Sequence, residues 1–402
     1  MNRYWTLLRN EALLKRLTLI QLLSYFGAWF SNVAIYTLLI NMEVSASVIA
    51  LTAALHFLPG VLQAPFSGVF IDRIEPKKMM IVLMGIELVT TLLLILITKE
   101  AHLLWLYVLI FIRMGASSFY FTLEMALLPR ILHGKALQMA NEIHSIIWSI
   151  SYTLGMALSG FVVYKIGVTA AFILDAMMFA IGLLLLVSVQ FHARSVRQKT
   201  KMFAMMQDTW RYMKAKPLVI YLLGLHAVVG LSAFDALVVL MVDQYYASIL
   251  APALAIGFMH ASRAVGLVLG PVILGKYMNN TRLFYLLLFQ ALAVWLWAGV
   301  IEHFYLSMLA SVCVGFATTT LWSYTYTLLQ HHSDEAFYGR IVAYNDMLFL
   351  LVAAFTSLLI GEMAEIGIPL WLITSVLGGG FMIAAFYYRF IKNRYKLEEI
   401  GA

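Results

Sequence analysis

The chain has 402 residues, 63% of them hydrophobic and only 12% charged, and carries a formal net charge of +7. Such a composition cannot be packed as a water-soluble core with a polar skin, which excludes a soluble globular protein and leaves the positive charge to headgroup attraction rather than nucleic acid. The single cysteine, Cys313, excludes an intramolecular disulfide and any cysteine-based metal cluster.

A helix needs about 20 apolar residues to cross the hydrocarbon layer. About twelve such runs begin near Leu17, Ser47, Met79, His102, Asn141, Val168, Leu218, Pro252, Leu283, Tyr305, Ile341 and Pro369. A transmembrane β-barrel would alternate over roughly 10 residues per strand, and these runs stay apolar for longer. The expected fold class is therefore all-α, a membrane protein with twelve transmembrane helices in two pseudo-symmetric six-helix halves. The first half spans 1–191, a basic cytoplasmic linker spans 192–217, and the second half spans 218–402. The amino-terminal MNRYWTLLRNEALLKR is basic but lacks a small-residue cleavage site at signal-peptide distance, so it is expected to stay on the mature chain.

Polar residues that recur at helical spacing inside an apolar run mark a lining face, because lipid-facing positions exclude them. Span one carries Gln21, Tyr25, Asn32 and Tyr36. The loop after span two, SGVFIDRIEPKKMM, gathers five charged residues in an otherwise apolar neighbourhood. Span three carries Glu87, and span four carries Arg113, Ser117, Tyr120 and Glu124. Span five carries His144, Trp148, Tyr152 and Ser159, preceded by Glu142 at its start, and span six carries Asp175. In the linker, Phe203, Met206, Trp210 and Met213 recur at helical spacing, the pattern of a short amphipathic helix at the membrane surface. Span seven carries Asp235, span eight Arg263, and span ten Thr319, Ser323, Tyr326 and Gln330. Asp346 follows Asn345 at the start of span eleven.

Each charge inside the bilayer costs about 2.5–3.5 kcal/mol on insertion scales, so Glu87, Arg113, Asp175, Asp235 and Arg263 are candidates for ion coupling. A carboxyl beside an arginine is a two-state switch, since burial favours its neutral form and the cation its charged form. Arg113 can serve Asp175 and Glu87, and Arg263 can serve Asp235. His56, His144, His226 and His260 also fall within spans, where a satisfied core histidine is the bland alternative. The pair His331-His332 reads as solvated loop residues, and no metal site is expected.

Of the 27 lysines and arginines, Lys99 and Lys165 fall in odd-numbered loops and Arg113 and Arg263 inside helices, which leaves 23 in the termini and even-numbered loops. Both termini are therefore expected in the cytoplasm. Internal repetition agrees: at an offset of 203 residues, GPVILGKYMNNTR falls on SGVFIDRIEPKKM, and at 204, Asn345-Asp346 falls on Asn141-Glu142.

SGVFIDRIEPKKMM resembles the signature of the major facilitator superfamily between helices two and three: Gly68, then Asp72-Arg73, then the basic pair Lys77-Lys78. LLPRIL, ANEIHSIIWSI, AFILDAMMF and YGRIVAYND resemble that family's drug and siderophore exporters, which include macrolide efflux proteins and the enterobactin exporter. The resemblance implies a secondary transporter that works by alternating access, a proton-coupled exporter of a small amphipathic compound, with no cofactor beyond the coupling ion. It also implies that Gly68, Asp72, Arg73, Lys77 and Lys78 form a latch that holds the outward-open state; Glu124, Glu142 and Asp346 are candidate acidic partners for it, and Glu142 and Asp346, at their helix starts, are equally candidate helix caps. A monomer in the inner membrane of a bacterium is expected. Alternatives are a metal or metallophore exporter, a nutrient uptake carrier, or, in another class, a membrane scaffold or lipid-modifying protein. An enzyme is not expected, since no nucleophile and base recur at a useful spacing. The chain departs from the proton-coupled pattern at Ala28, which follows Gly27, at Gly275, where Asp72 would recur, and at Met156, where a proline would follow Gly155.

Overall fold

The computed structural model describes residues 2–73, 75–132, 134–189, 202–334 and 336–397, and all regular structure among them is helical. In chain order the α-helices are α1 (Asn2–Asn10), α2 (Ala12–Asn41), α3 (Ala46–Leu55), α4 (Leu58–Arg73), α5 (Pro76–Leu94), α6 (Leu103–Ile131), α7 (Gly134–Ile166) and α8 (Val168–Ser188). They continue with α9 (Met202–Ala215), α10 (Pro217–Ala227), α11 (Asp235–Met241), α12 (Pro252–Leu274), α13 (Asn280–Gly299), α14 (Phe304–His332), α15 (Tyr338–Glu365) and α16 (Leu370–Tyr395).

Eleven helical stretches among the described residues are long and apolar enough to cross a membrane. The twelfth span is α5, with 19 residues. At 1.5 Å per residue it reaches about 28 Å, close to the hydrocarbon thickness. Lys77 and Lys78 in its first turn and Glu87 near its middle set it apart from the others. The chain is thus an all-α membrane protein of twelve spans in two halves, with the second span built from α3 and α4 and the seventh from α10, α11 and the turns around them.

Proline punctuates the starts. Pro76, Pro217 and Pro252 open α5, α10 and α12, where the missing N–H is one that a helix start leaves unpaired anyway. Asn279 caps α13 by accepting from the Arg282 amide at 2.8 Å.

The described chain forms two compact units. One comprises Met1–Glu43, Phe66–Gln198 and Ala251–Ala261. In it α2 packs against α7 and α8, and α5 against α6 and α8. Its core is built from Leu17 and Ile20 of α2, Met80 and Met84 of α5, Tyr120 and Leu123 of α6, and Phe179 and Leu186 of α8. The short α1 lies on this unit through Leu7 and Leu8, which pack on two small clusters around Leu128 and Ile143.

The other unit comprises Val44–Pro65, Lys199–Leu250 and Ser262–Ala402. Here α3 packs on α15, α13 on α14 and α16, and α10 on α14 and α15. Glycine sets the closest approach. A Cβ on Gly266 or Gly270 of α12 would run into the backbone of Val312 or Phe316 in α14, and one on Gly315 into that of Arg263. Small residues of this kind let two helix backbones touch where no hydrophobic force draws helices together in lipid.

Span seven is broken. After α10 the chain tightens into a 3-10 turn, Val228–Ser232, restarts as α11 at Asp235, and closes with a π-turn over Val242–Tyr246. Gly230 permits the break, because any side chain there would meet the backbone of Phe349 and Ala353.

The amphipathic linker stretch forms α9, with Thr209 and Met213 buried and Trp210 about half exposed. The Phe203 side chain and residues 190–201 lie outside the described residues. Tyr212 of α9 stacks on Phe337, with ring centroids 4.2 Å apart, and its hydroxyl accepts from the Asp334 amide at 2.9 Å. Lys216 pairs with the Asp334 carboxylate at 2.9 Å, which holds its ammonium pKa above the ordinary lysine value.

Candidate functional site

Four helices of the first unit bring a charged group together. Arg113 of α6 donates from Nη2 to Asp175 Oδ2 of α8 at 2.7 Å, with 3% and 0% of the two side chains exposed. Ser31 of α2 donates its hydroxyl to the same oxygen. The second oxygen, Oδ1, has no hydrogen-bond partner and lies over Gly27, where a side chain would collide with it. Arg113 also lies 5.8 Å from the Phe179 ring, and its Nε is unpartnered. Glu87 of α5 completes the group: it is 4% exposed, within electrostatic reach of both Arg113 and Asp175, and hydrogen-bonded to Ser117. Two carboxyl groups and one guanidinium are thus buried together, with Asp175 Oδ1 and Arg113 Nε left without a hydrogen-bond partner.

A second cluster lies between α2, α6 and α7 in the same unit. Gln21 Nε2 sits 2.7 Å from His144 Nδ1, and the Tyr25 hydroxyl donates to Glu124 Oε2 at 3.5 Å. The His144 ring meets Tyr25 and Phe121 edge-on at 5.8 and 5.3 Å. One turn along, Trp148 stacks on Tyr152 at 5.6 Å, and Trp29 meets Tyr152 at 4.6 Å. Tyr152 in turn hydrogen-bonds His260 Nδ1 at 3.2 Å. Asn32 and Tyr36 follow on the buried side of α2.

The second unit has its own polar and aromatic groups. His226 of α10 bonds Thr325 of α14 at 2.9 Å and is ringed by Trp322, Tyr326 and Phe349. Trp322 and Tyr326 stack at 5.1 Å, and Asp346 is within electrostatic reach of Tyr326 while accepting from Asn345 at 3.5 Å. Thr319 is partly buried, and Ser323 returns its hydroxyl to the Thr320 carbonyl. Among the described residues Arg263 forms no ion pair: Nη2 donates to the Ser232 carbonyl at 2.8 Å, and the guanidinium lies 5.2 Å from the Phe234 ring. It thereby satisfies a carbonyl released by the break, just before Asp235 restarts the helix.

For the expected latch, α4 runs through Asp72 and Arg73, but the side chains of Gly68, Asp72 and Arg73 lie outside the described residues. Lys77 donates to the Val187 carbonyl at 2.9 Å and Lys78 pairs with Glu75 at 2.8 Å. Glu124 faces Tyr25, and Glu142 accepts from the Tyr4 hydroxyl at 2.7 Å. The structure thus brings Arg113 to Asp175 and Glu87, but leaves Lys77 and Lys78 on other partners than the three acids. Among the described residues no three His, Cys, Asp or Glu side chains converge as metal ligands.

Sequence reasoning passed over Ser31, Trp29 and Tyr4, and took Gly27 only as the residue before Ala28. Gly27 and Ser31 are one turn apart on span one, and Trp29 completes the ladder Gln21, Tyr25, Trp29; each reads as ordinary helix packing until Asp175 or Tyr152 is beside it.

Comparison with known proteins gives a consistent assignment. The family model for the Major Facilitator Superfamily matches residues 17–357. The uncharacterized MFS-type transporter YfiS of Bacillus subtilis (strain 168) is 26% identical over 291 residues, 69% of this chain and 67% of the relative. A second such transporter of that strain, YkuC, is 26% identical over 202 residues, 50% of this chain and 46% of the relative. Among solved structures, the nucleoside transporter NupG superimposes with a TM-score of 0.73 at 12% identity, covering 96% of this chain and all of that one. The POT family transporter PepTSo does so with a TM-score of 0.72 at 12% identity over 96% and 98%. At that identity the likeness is one of fold.

Proposed function

The chain belongs to the Major Facilitator Superfamily and is a multi-pass secondary transporter of small molecules rather than an enzyme, and from that premise we propose that it exchanges protons for the export of a small amphipathic compound, drug-like or siderophore-like. The observation that carries the reading is the buried group of Arg113, Asp175, Ser31 and Glu87. In the charged state Asp175 Oδ2 holds Arg113 and Ser31 together, linking α2, α6 and α8. A proton taken on the unbonded Oδ1 neutralises the carboxyl and weakens its hold on Arg113, which then turns toward Glu87. The groups beside Asp175 are Arg113 and Ser31 on Oδ2 and Gly27 at Oδ1, with Glu87 within electrostatic reach. A switch of this kind ties the proton to the packing of three spans, which is what alternating access requires of a coupling ion.

The lining supports an amphipathic substrate over a sugar or phosphate, because its polar groups are few and its aromatic faces many. The Lys and Arg asymmetry supports placement in the cytoplasmic membrane with both termini inside, and we take the protein to act as a monomer. Gly68, Asp72, Arg73, Lys77 and Lys78 are assigned as a cytoplasmic latch; Asp72→Asn should shift the accessibility of engineered cysteines between the two membrane sides, and unchanged labelling would remove that role.

The decisive experiment uses proteoliposomes with an entrapped pH-sensitive dye and a panel of dyes, antibiotics and siderophore-like compounds. Substrate-dependent proton flux in the wild type, lost in Asp175→Asn, is expected. Flux that persists in both Asp175→Asn and Glu87→Gln refutes coupling through this group.

A further inference from the structure

The structure assigns α1 as a lid: it seats on the Tyr25, Ile143 and Ile147 end of the face shared by α2 and α7, and its lifting controls access to that face. The inference rests on the transport reading above only in taking that face as a lining, and it adds a control element which that reading does not contain.

The seat is built from one face of α1. Tyr4, Leu7 and Leu8 recur at helical spacing, and all three pack on the buried cluster of Tyr25, Ile143 and Ile147. Leu7 and Leu8 also reach the cluster that holds Leu128 and Leu132 at the end of α6. The Tyr4 hydroxyl fixes the register by donating to Glu142 Oε2 of α7 at 2.7 Å, the length of a charge-assisted bond. What α1 covers is part of the polar and aromatic cluster described above. Tyr25 belongs to the stripe of span one and reaches Glu124, while Ile143 and Ile147 directly precede His144 and Trp148. The opposite face of α1, with Trp5 and Arg9 exposed, takes no part in the seat.

Three features make the contact reversible. With 9 residues, α1 is shorter than the about 12–15 that an isolated helix needs in water, so its order depends on its seat. It joins α2 through a single non-helical residue, Glu11, at φ −106° and ψ 84°, which serves as the joint. Tyr4 also occupies an oxygen of Glu142, an acid that the latch would use, so seating α1 and engaging that oxygen elsewhere compete. The second half repeats the arrangement. There α9 precedes span seven as α1 precedes span one, and its Tyr212 is tied to Asp334 and Phe337, which lead into span eleven. Each half thus opens on a short helix whose tyrosine reaches the start of the fifth span of that half. Recurrence in both marks the tie as built, and in the second half the ion pair of Lys216 with Asp334 fastens it further.

The test measures thiol labelling of the full chain in nanodiscs, which leave both membrane sides open to reagent. Ile143→Cys, under the seat, is placed in a Cys313→Ala background, and all rates are compared within it. A sulfonated maleimide reacts there only while α1 is lifted, so the rate reports the open fraction. Tyr4→Phe removes a hydrogen bond to a carboxylate and should speed labelling by about tenfold or more. Deletion of residues 2–10 should set the ceiling, and Trp5→Ala, on the free face, should leave the rate unchanged. Ile147→Cys reads the same opening if Ile143→Cys does not fold. A parent rate already at the ceiling, or labelling indifferent to Tyr4→Phe, overturns the lid. The two readings fail separately. Labelling that responds to Tyr4→Phe, without substrate-dependent proton flux in proteoliposomes, would refute coupling and leave the lid, whereas flux with labelling indifferent to Tyr4→Phe would refute the lid and leave coupling.

Discussion

Removing Arg113 should be more damaging than removing the whole ion pair. Arg113→Met keeps the volume of the side chain but leaves Asp175, 0% exposed, with Ser31 as its remaining described donor. Breaking a buried pair from one side costs about 3–5 kcal/mol, because the surviving charge stays desolvated. Of this, the lost charge-assisted hydrogen bond accounts for about 1.5–3 kcal/mol, and the remainder is the unscreened carboxylate. Arg113→Met/Asp175→Leu removes both charges and should return to within about 1–2 kcal/mol of the wild type, since hydrophobic replacement of a buried pair is often neutral or better. Unfolding in mixed detergent–SDS micelles, followed by helical circular dichroism, reads all three proteins. The reasoning fails if Arg113→Met alone lies within about 1 kcal/mol of the wild type, or if the double variant is the less stable of the two.

The packing of α12 on α14 makes a sharper steric prediction: Gly270→Ala should destabilise by about 1–3 kcal/mol or more, because the methyl meets the Phe316 backbone. Gly379→Ala, with nothing within 4 Å, is the control and should stay within about 0.5 kcal/mol in the same unfolding assay. Tyr212→Ala should cost about 0.5–1.5 kcal/mol of stacking on Phe337, and amide exchange should then quicken across Met202–Ala215 while that of α16 is unchanged. Arg263→Met should leave the Ser232 carbonyl without its described donor and lower stability by about 1–3 kcal/mol, with faster exchange confined to residues 228–235.

How far the sequence could be read depends on what each feature costs. Twelve spans were legible because lipid enforces long apolar runs. Asp175 and Arg113 stood out because a charge in such a run is expensive enough to be rare. Ser31 and Gly27 carry no such signal; serine and glycine are common in membrane helices, and only the azimuth of α8 against α2 makes them part of the group. Helical spacing gives a face but not its neighbour. Glu124 therefore read as a partner for Lys77 and Lys78 although in the structure it faces Tyr25. The break in span seven was equally hidden. The run from Leu218 onward is apolar without proline, and the interruption comes from tertiary packing of Gly230 on α15 and from the Arg263 hydrogen bond, neither of which is local.

That break changes the mechanics of the span. An unbroken helix behaves as a beam, so a push at one end arrives at the other. Here an 11-residue rod and a 7-residue rod meet at a joint, and Arg263 is its pin. The span is thereby two short levers rather than one, α10 seated on α14 and α15 and α11 on α3 and α15, and the turn between Val228 and Phe234 sets the angle between them.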